Sequence, residues 1–218
     1  MRFLPAGDDA VLLDLTGADD APAVAAALAR SLWAAADSGV LTIGDVVPAG
    51  GTVLVQAPPG RGLDVAAVRR LAATVPTPGP GTDGPAGEVT IPVVYDGADL
   101  AEVAALAGVT ADEVVDAHTG VEWRVEFLGF APGFGYLVPV SDDPRAAVLR
   151  GLGRREQSRP AVPAGAVAVA AGYSAVYPRR SPGGWYLLGR TETPMWDADA
   201  DPPALLSAGT RVRFTCVR

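Results

Sequence analysis

Three segments of this chain concentrate residues able to do chemistry. The first is Leu128-Gly-Phe-Ala-Pro-Gly-Phe-Gly-Tyr-Leu137, where three aromatic rings sit among three glycines and a proline. Glycine permits positive φ and close backbone approach, and proline restricts the turn. Such a turn can form a pocket wall presenting backbone N–H groups, or a hydrophobic plug at a barrel end. The second is Arg154-Arg-Glu-Gln-Ser-Arg159-Pro-Ala-Val-Pro-Ala-Gly165. A guanidinium fork matches a carboxylate or phosphate, although a solvated loop is the plain alternative. The third runs from Tyr173 through Tyr177-Pro178 and Ser181-Pro-Gly-Gly-Trp185 to Gly189-Arg190-Thr191. Loops this rich in Pro, Gly and aromatic residues often carry function. His118 is the single histidine. At a helix C-terminus its cation would be favoured by the helix dipole, so capping and a pocket role stand about even. Glu122, Glu126 and Asp197 are further acid–base candidates that the sequence does not pair.

Composition removes other chemistries. All 17 basic residues are Arg, and there is one Cys, Cys216. No Lys means no Walker-A lysine and no Schiff base. A single Cys and a single His exclude a disulfide framework and clustered-His metal sites. The net charge of −8 argues against nucleic acid as a partner. The opening MRFLPAGDDAVLLDL breaks at Pro-Ala-Gly-Asp-Asp where a secretory leader would need an apolar run. No apolar stretch approaches the roughly 18 residues of a membrane span. A cytoplasmic, membrane-free protein is the expectation.

The elements that must position these segments fall into two parts. Residues 76–87 hold four Pro and four Gly in twelve residues, which suits neither helix nor strand, so they read as a linker. Over residues 1–75, strands are expected at Arg2–Pro5, Ala10–Leu15, Val40–Val47 and Thr52–Ala57. Helices are expected after Asp19-Asp20 and after Asp64. That order suits a small two-layer α/β sandwich. Over residues 88–218 a strand at Glu88–Tyr95 leads into two short helices. The second opens with a capping box, Thr110-Ala-Asp-Glu113. From Val121 onward the chain reads as short strands between Gly/Pro turns, favouring a closed barrel or sandwich. The fold class is α+β.

Taken in order, the motifs resemble those of the Kip-inhibitor / allophanate hydrolase subunit 1 family, which includes the B subunit of prokaryotic ATP-dependent 5-oxoprolinase. The matching blocks are Gly129-Phe130-Ala-Pro132-Gly133-Phe134-Gly-Tyr136-Leu137, Val162–Gly165, and Tyr177-Pro178 with Ser181–Trp185 and Gly189–Thr191. The resemblance implies a cyclophilin-like β-barrel behind the N-terminal α/β domain. It implies a partner of the allophanate hydrolase subunit 2 type (the C subunit of 5-oxoprolinase) and a LamB/YcsF-type A subunit. Together these would open 5-oxo-L-proline to L-glutamate at the expense of ATP, with Mg. Phosphorylating the lactam oxygen would make its carbon attackable.

The resemblance also marks site residues: His118, Arg154 and Arg159 as catalytic, and Phe130, Pro132, Gly133, Phe134, Tyr173, Ser174 and Arg190 as substrate-binding. Tyr173 and Ser174 stand where the family carries Gln and Thr, and Trp123 stands for a Tyr. Alternative implied roles are inhibition of a sensor histidine kinase, a related lactam or ureido substrate, or cyclophilin-like peptide binding.

Overall fold

The computed structural model describes residues 1–75, 87–141 and 143–217. The chain divides into two compact units, Met1–Gly84 and Pro85–Arg218. The expected linker, apart from Gly87, lies outside the described residues.

The first unit is a four-stranded antiparallel sheet with two helices. Strands β1 (Arg2–Pro5), β2 (Ala10–Asp14), β3 (Asp45–Pro48) and β4 (Thr52–Gln56) lie in the order β1-β2-β4-β3. Alternation sends Val11, Leu13, Val53 and Val55 into the core. Helix α1 (Ala21–Asp37) meets them with Ala25, Leu28, Ala29 and Leu32, a helical-period stripe. Helix α2 (Val65–Ala72) adds Val68 and Ala72. Asp20 and Asp64 cap the helices, accepting from Ala23 N at 3.2 Å and Ala67 N at 2.8 Å. The strand expected from Val40 begins only at Asp45. Val40 N and Leu41 N instead donate to Ala35 O, at 2.9 and 3.1 Å, so this stretch closes α1 rather than joining the ladder.

The second unit carries a seven-stranded sheet that closes almost into a barrel. Its strands are β5 (Glu88–Val93), β6 (Trp123–Leu128), β7 (Gly135–Pro139), β9 (Ala166–Ala170), β10 (Tyr173–Val176), β12 (Tyr186–Arg190) and β13 (Arg211–Cys216). They lie in the order β12-β9-β10-β7-β6-β13-β5, with β13 and β5 parallel. Val94, just past β5, exchanges two backbone hydrogen bonds with Arg190 of β12, at 2.8 and 2.9 Å, which brings the sheet edges together. A side chain at Gly189 would strike the Val94 carbonyl, so this approach requires glycine. Strands β8 (Arg159–Val162) and β11 (Ser181–Gly183) form a separate two-stranded ribbon.

Helix α3 (Leu100–Ala107) ends on left-handed Gly108, and α4 (Ala111–Gly120) starts with the expected capping box. Residues beyond Val121 are not all β-like. Helix α5 (Pro144–Arg150) is capped by Asp143 and buries Ala146 and Leu149 in the same core as Val114 of α4.

The two faces of this sheet differ in kind. Val125, Leu137, Val167, Val169 and Val176 pack into the core beneath the helices. Ala166, Ala168, Ala170 and Ala175 line the opposite face. Small alanine side chains leave room there for large rings to lie close to the backbone.

Candidate functional site

The aromatic segment of the sequence builds the alanine-lined face. The turn between β6 and β7 is closed by Gly129 N to Phe134 O at 3.1 Å and Phe134 N to Ala131 O at 3.0 Å. It forces Phe130 to φ +67°, a conformation that costs a bulky residue roughly 1–2 kcal/mol. The ring nevertheless stays 57% exposed. Gly133 has φ +79°, and a Cβ there would lie 2.7 Å from Met195 O.

Phe134 is buried at the centre of the face. It makes edge contacts with Phe130 at 5.2 Å, Tyr177 at 5.2 Å and Trp185 at 5.6 Å. Tyr136 stacks on Phe127 at 4.3 Å and meets Tyr173 edge-on at 5.7 Å. Phe127, Tyr136 and Tyr173 are partly exposed, so the face is open.

Charge surrounds this face. Tyr173 Oη donates to Glu126 Oε2 at 2.8 Å. Burial, then Glu126, push the Tyr173 phenol above its ordinary pKa. Burial also raises Tyr136 and Tyr177, while Arg154 pulls both back down. The exposed Arg154 therefore acts on two phenols of the face, and Arg159 also acts on Tyr177.

His118 and Ser174 belong to the other face. His118 lies in the last turn of α4 and is fully buried. Its Nδ1 pairs with Tyr95 Oη at 2.7 Å, its Nε2 with Ser174 Oγ at 2.8 Å, and its ring stacks on Phe214 at 4.3 Å. Trp123 Nε1 donates to the His118 carbonyl at 3.0 Å. Burial lowers the His118 pKa to about 3. Desolvation outweighs the helix dipole, so the histidine is neutral and no cation caps the helix. Tyr173 and Ser174, neighbours in sequence, point to opposite faces because successive strand residues alternate.

A third cluster centres on Asp99, which is 2% exposed. Its Oδ1 accepts from Arg155 Nη1 and Arg159 Nη2, both at 2.6 Å, and its Oδ2 accepts from Leu187 N at 2.7 Å. Arg155 also reaches Glu102 at 3.0 Å. Arg159 is thus held by a buried carboxylate, while Arg154 is not. Asp99 stands at the N-cap of α3, yet it makes no side-chain cap bond. Its real use depends on residues 56 and 60 positions away. Glu126 is legible only as one acidic candidate among three.

Arg190 pairs with Asp96 and lines a cleft of about 290 Å³ with Gly165, Tyr177, Thr191 and Trp196. Among the described residues no cluster of three or more His, Cys, Asp or Glu could hold a metal ion.

Residues 1–206 match the family model for the carboxyltransferase domain, subdomain C and D. The chain belongs to this family. Within it, the chain is 43% identical over 129 residues to the B subunit of 5-oxoprolinase from Escherichia coli O157:H7, covering 58% of this chain and 56% of that one. It is 42% identical over 129 residues to the B subunit of 5-oxoprolinase from Bacillus subtilis (strain 168), covering 58% and 51%. These matches span just over half the length of those relatives. The crystal structure of TTHA0988 superposes with a TM-score of 0.79 at 36% identity, over 96% of this chain and 40% of that one. These findings agree with the resemblance carried by the motifs. No helix among the described residues is long and apolar enough to cross a membrane.

Proposed function

We propose that this carboxyltransferase-family chain is one component of an ATP-dependent 5-oxoprolinase, supplying a surface that holds 5-oxo-L-proline. One observation carries the reading. An open aromatic face edged by Arg154 and by the Tyr173–Glu126 pair occurs in a chain similar to 5-oxoprolinase B subunits. A five-membered lactam is flat and amphipathic, which suits packing against Phe130, Tyr136 and Tyr173. Its carboxylate suits the Arg154 guanidinium. The amide is opened with water to L-glutamate.

This chain has no lysine, and therefore no Walker-A lysine. ATP, with Mg, is shared with the partner chains, one of the allophanate hydrolase subunit 2 type (the C subunit of 5-oxoprolinase) and one of the LamB/YcsF type (its A subunit). Two features support a site completed by a partner. The aromatic face is open, and in TTHA0988 the matching region accounts for 40% of a longer polypeptide.

The test is reconstitution with those partners, comparing wild type with Arg154→Ala. Arg154 is exposed, so the variant should fold normally, and the KM for 5-oxo-L-proline should rise about tenfold or more, the weight of a charge-assisted hydrogen bond. An unchanged KM would count against the assignment.

A further inference from the structure

The Tyr173–Glu126 pair gives the open face a fixed hydrogen-bonding polarity. An ionised carboxylate only accepts, so the phenolic proton must point at Glu126, along the 2.8 Å contact. The phenolic oxygen keeps its lone pairs for a donor from a ligand. The ring is held by edge contacts with Tyr136 at 5.7 Å and Phe127 at 6.0 Å. Its strand is held too, because the adjacent Ser174 is bonded to buried His118 on the opposite face. Tyr173 is a phenol at neutral pH, as an unperturbed tyrosine already is, and burial and Glu126 push its pKa further up.

The geometry points to Tyr173 as a hydrogen-bond acceptor locked by Glu126, which selects cyclic amides by their ring N–H. This deepens, and rests on, the oxoprolinase reading. Glu126 is then a positioning residue that acts through Tyr173. A lactone or an N-substituted lactam of the same shape offers no donor and leaves the phenolic oxygen unpaired. A site built around a hydrogen bond rejects the analogue that lacks it.

Binding of 5-oxo-L-proline and its N-methyl analogue tests this by calorimetry on the full chain with its partner chains. Wild type should prefer the N–H ligand by about tenfold. Tyr173→Phe removes the acceptor and should cut that preference to about twofold or less. Glu126→Gln should cut it to about threefold, because a Gln amide can donate to the phenol and release its proton. Glu126→Gln keeps the phenolic oxygen in place, so the steric cost of the methyl group is common to it and wild type, and the change in preference between those two is the decisive readout. An equal preference in all three proteins, or no binding by wild type, would overturn the inference. Turnover is measured in parallel: N–H-selective binding without glutamate formation strikes the oxoprolinase reading and leaves the selectivity standing.

Discussion

Acidification should weaken this protein through one side chain. His118 is the single histidine and is fully buried, and burial pulls its pKa from 6.5 to about 3. In the unfolded chain it titrates near 6.5. Between these values the unfolded state binds a proton that the folded state does not, so stability falls as pH falls. This contribution is complete above about pH 6.5 and is lost progressively toward pH 3. With those values, going from pH 7 to pH 5 costs roughly 2 kcal/mol. Carboxylates with ordinary pKa values titrate mostly below that window.

The assay is urea unfolding at pH 7, 6 and 5 in a Trp33→Phe background. Fluorescence then reports Trp123, Trp185 and Trp196, all in the second unit. His118→Asn should lose about 2–3 kcal/mol at pH 7, because the buried Ser174 hydroxyl loses its partner and Phe214 loses its stack. The same variant should show almost no slope between pH 7 and pH 5. Equal wild-type stability at pH 7 and pH 5, or an unchanged slope in the variant, would refute the reasoning.

Other consequences are equally direct. Asp99→Ala strips the buried partner from Arg155 and Arg159 and should cost about 3–5 kcal/mol; a loss under 1 kcal/mol in urea unfolding would show that the cluster is not coupled to folding. Thr110→Ala removes the hydroxyl half of the capping box on α4, while the backbone N–H of residue 110 can still donate to Glu113, and should cost about 1 kcal/mol, seen as a lower Tm. Phe130→Gly relieves the positive φ while losing an exposed ring. Stability should hold or rise by up to about 1 kcal/mol while affinity for 5-oxo-L-proline in the complex falls. A clear loss of stability would mean that the ring serves packing instead.

What was legible in the sequence was local. Asp20, Asp64 and the Thr110–Glu113 box are caps formed within a few residues, and each starts a helix where expected. Helix α5 carries the same signal, Asp143 then Pro144, but seven residues are too few for a periodic apolar stripe to stand out. Val40 and Leu41 look like strand residues, yet their N–H groups are taken by the end of α1.

The site was legible as a set of residues and not as an arrangement. Phe130, Phe134 and Tyr173 do share a face, with Tyr136 and Tyr177. His118 and Ser174 lie behind it, and one-residue alternation along β10 decides that split. Arg159 is tied to Asp99 across 60 residues, a pairing that only tertiary structure supplies.

The central claim is that this chain contributes part of a composite oxoprolinase site. The most direct measurement is L-glutamate formed from 5-oxo-L-proline and ATP by this chain alone, by its partner chains alone, and by the mixture. Glutamate should form in the mixture and in neither component by itself. Formation by this chain alone, or an equal rate from the partner chains without it, would contradict the account.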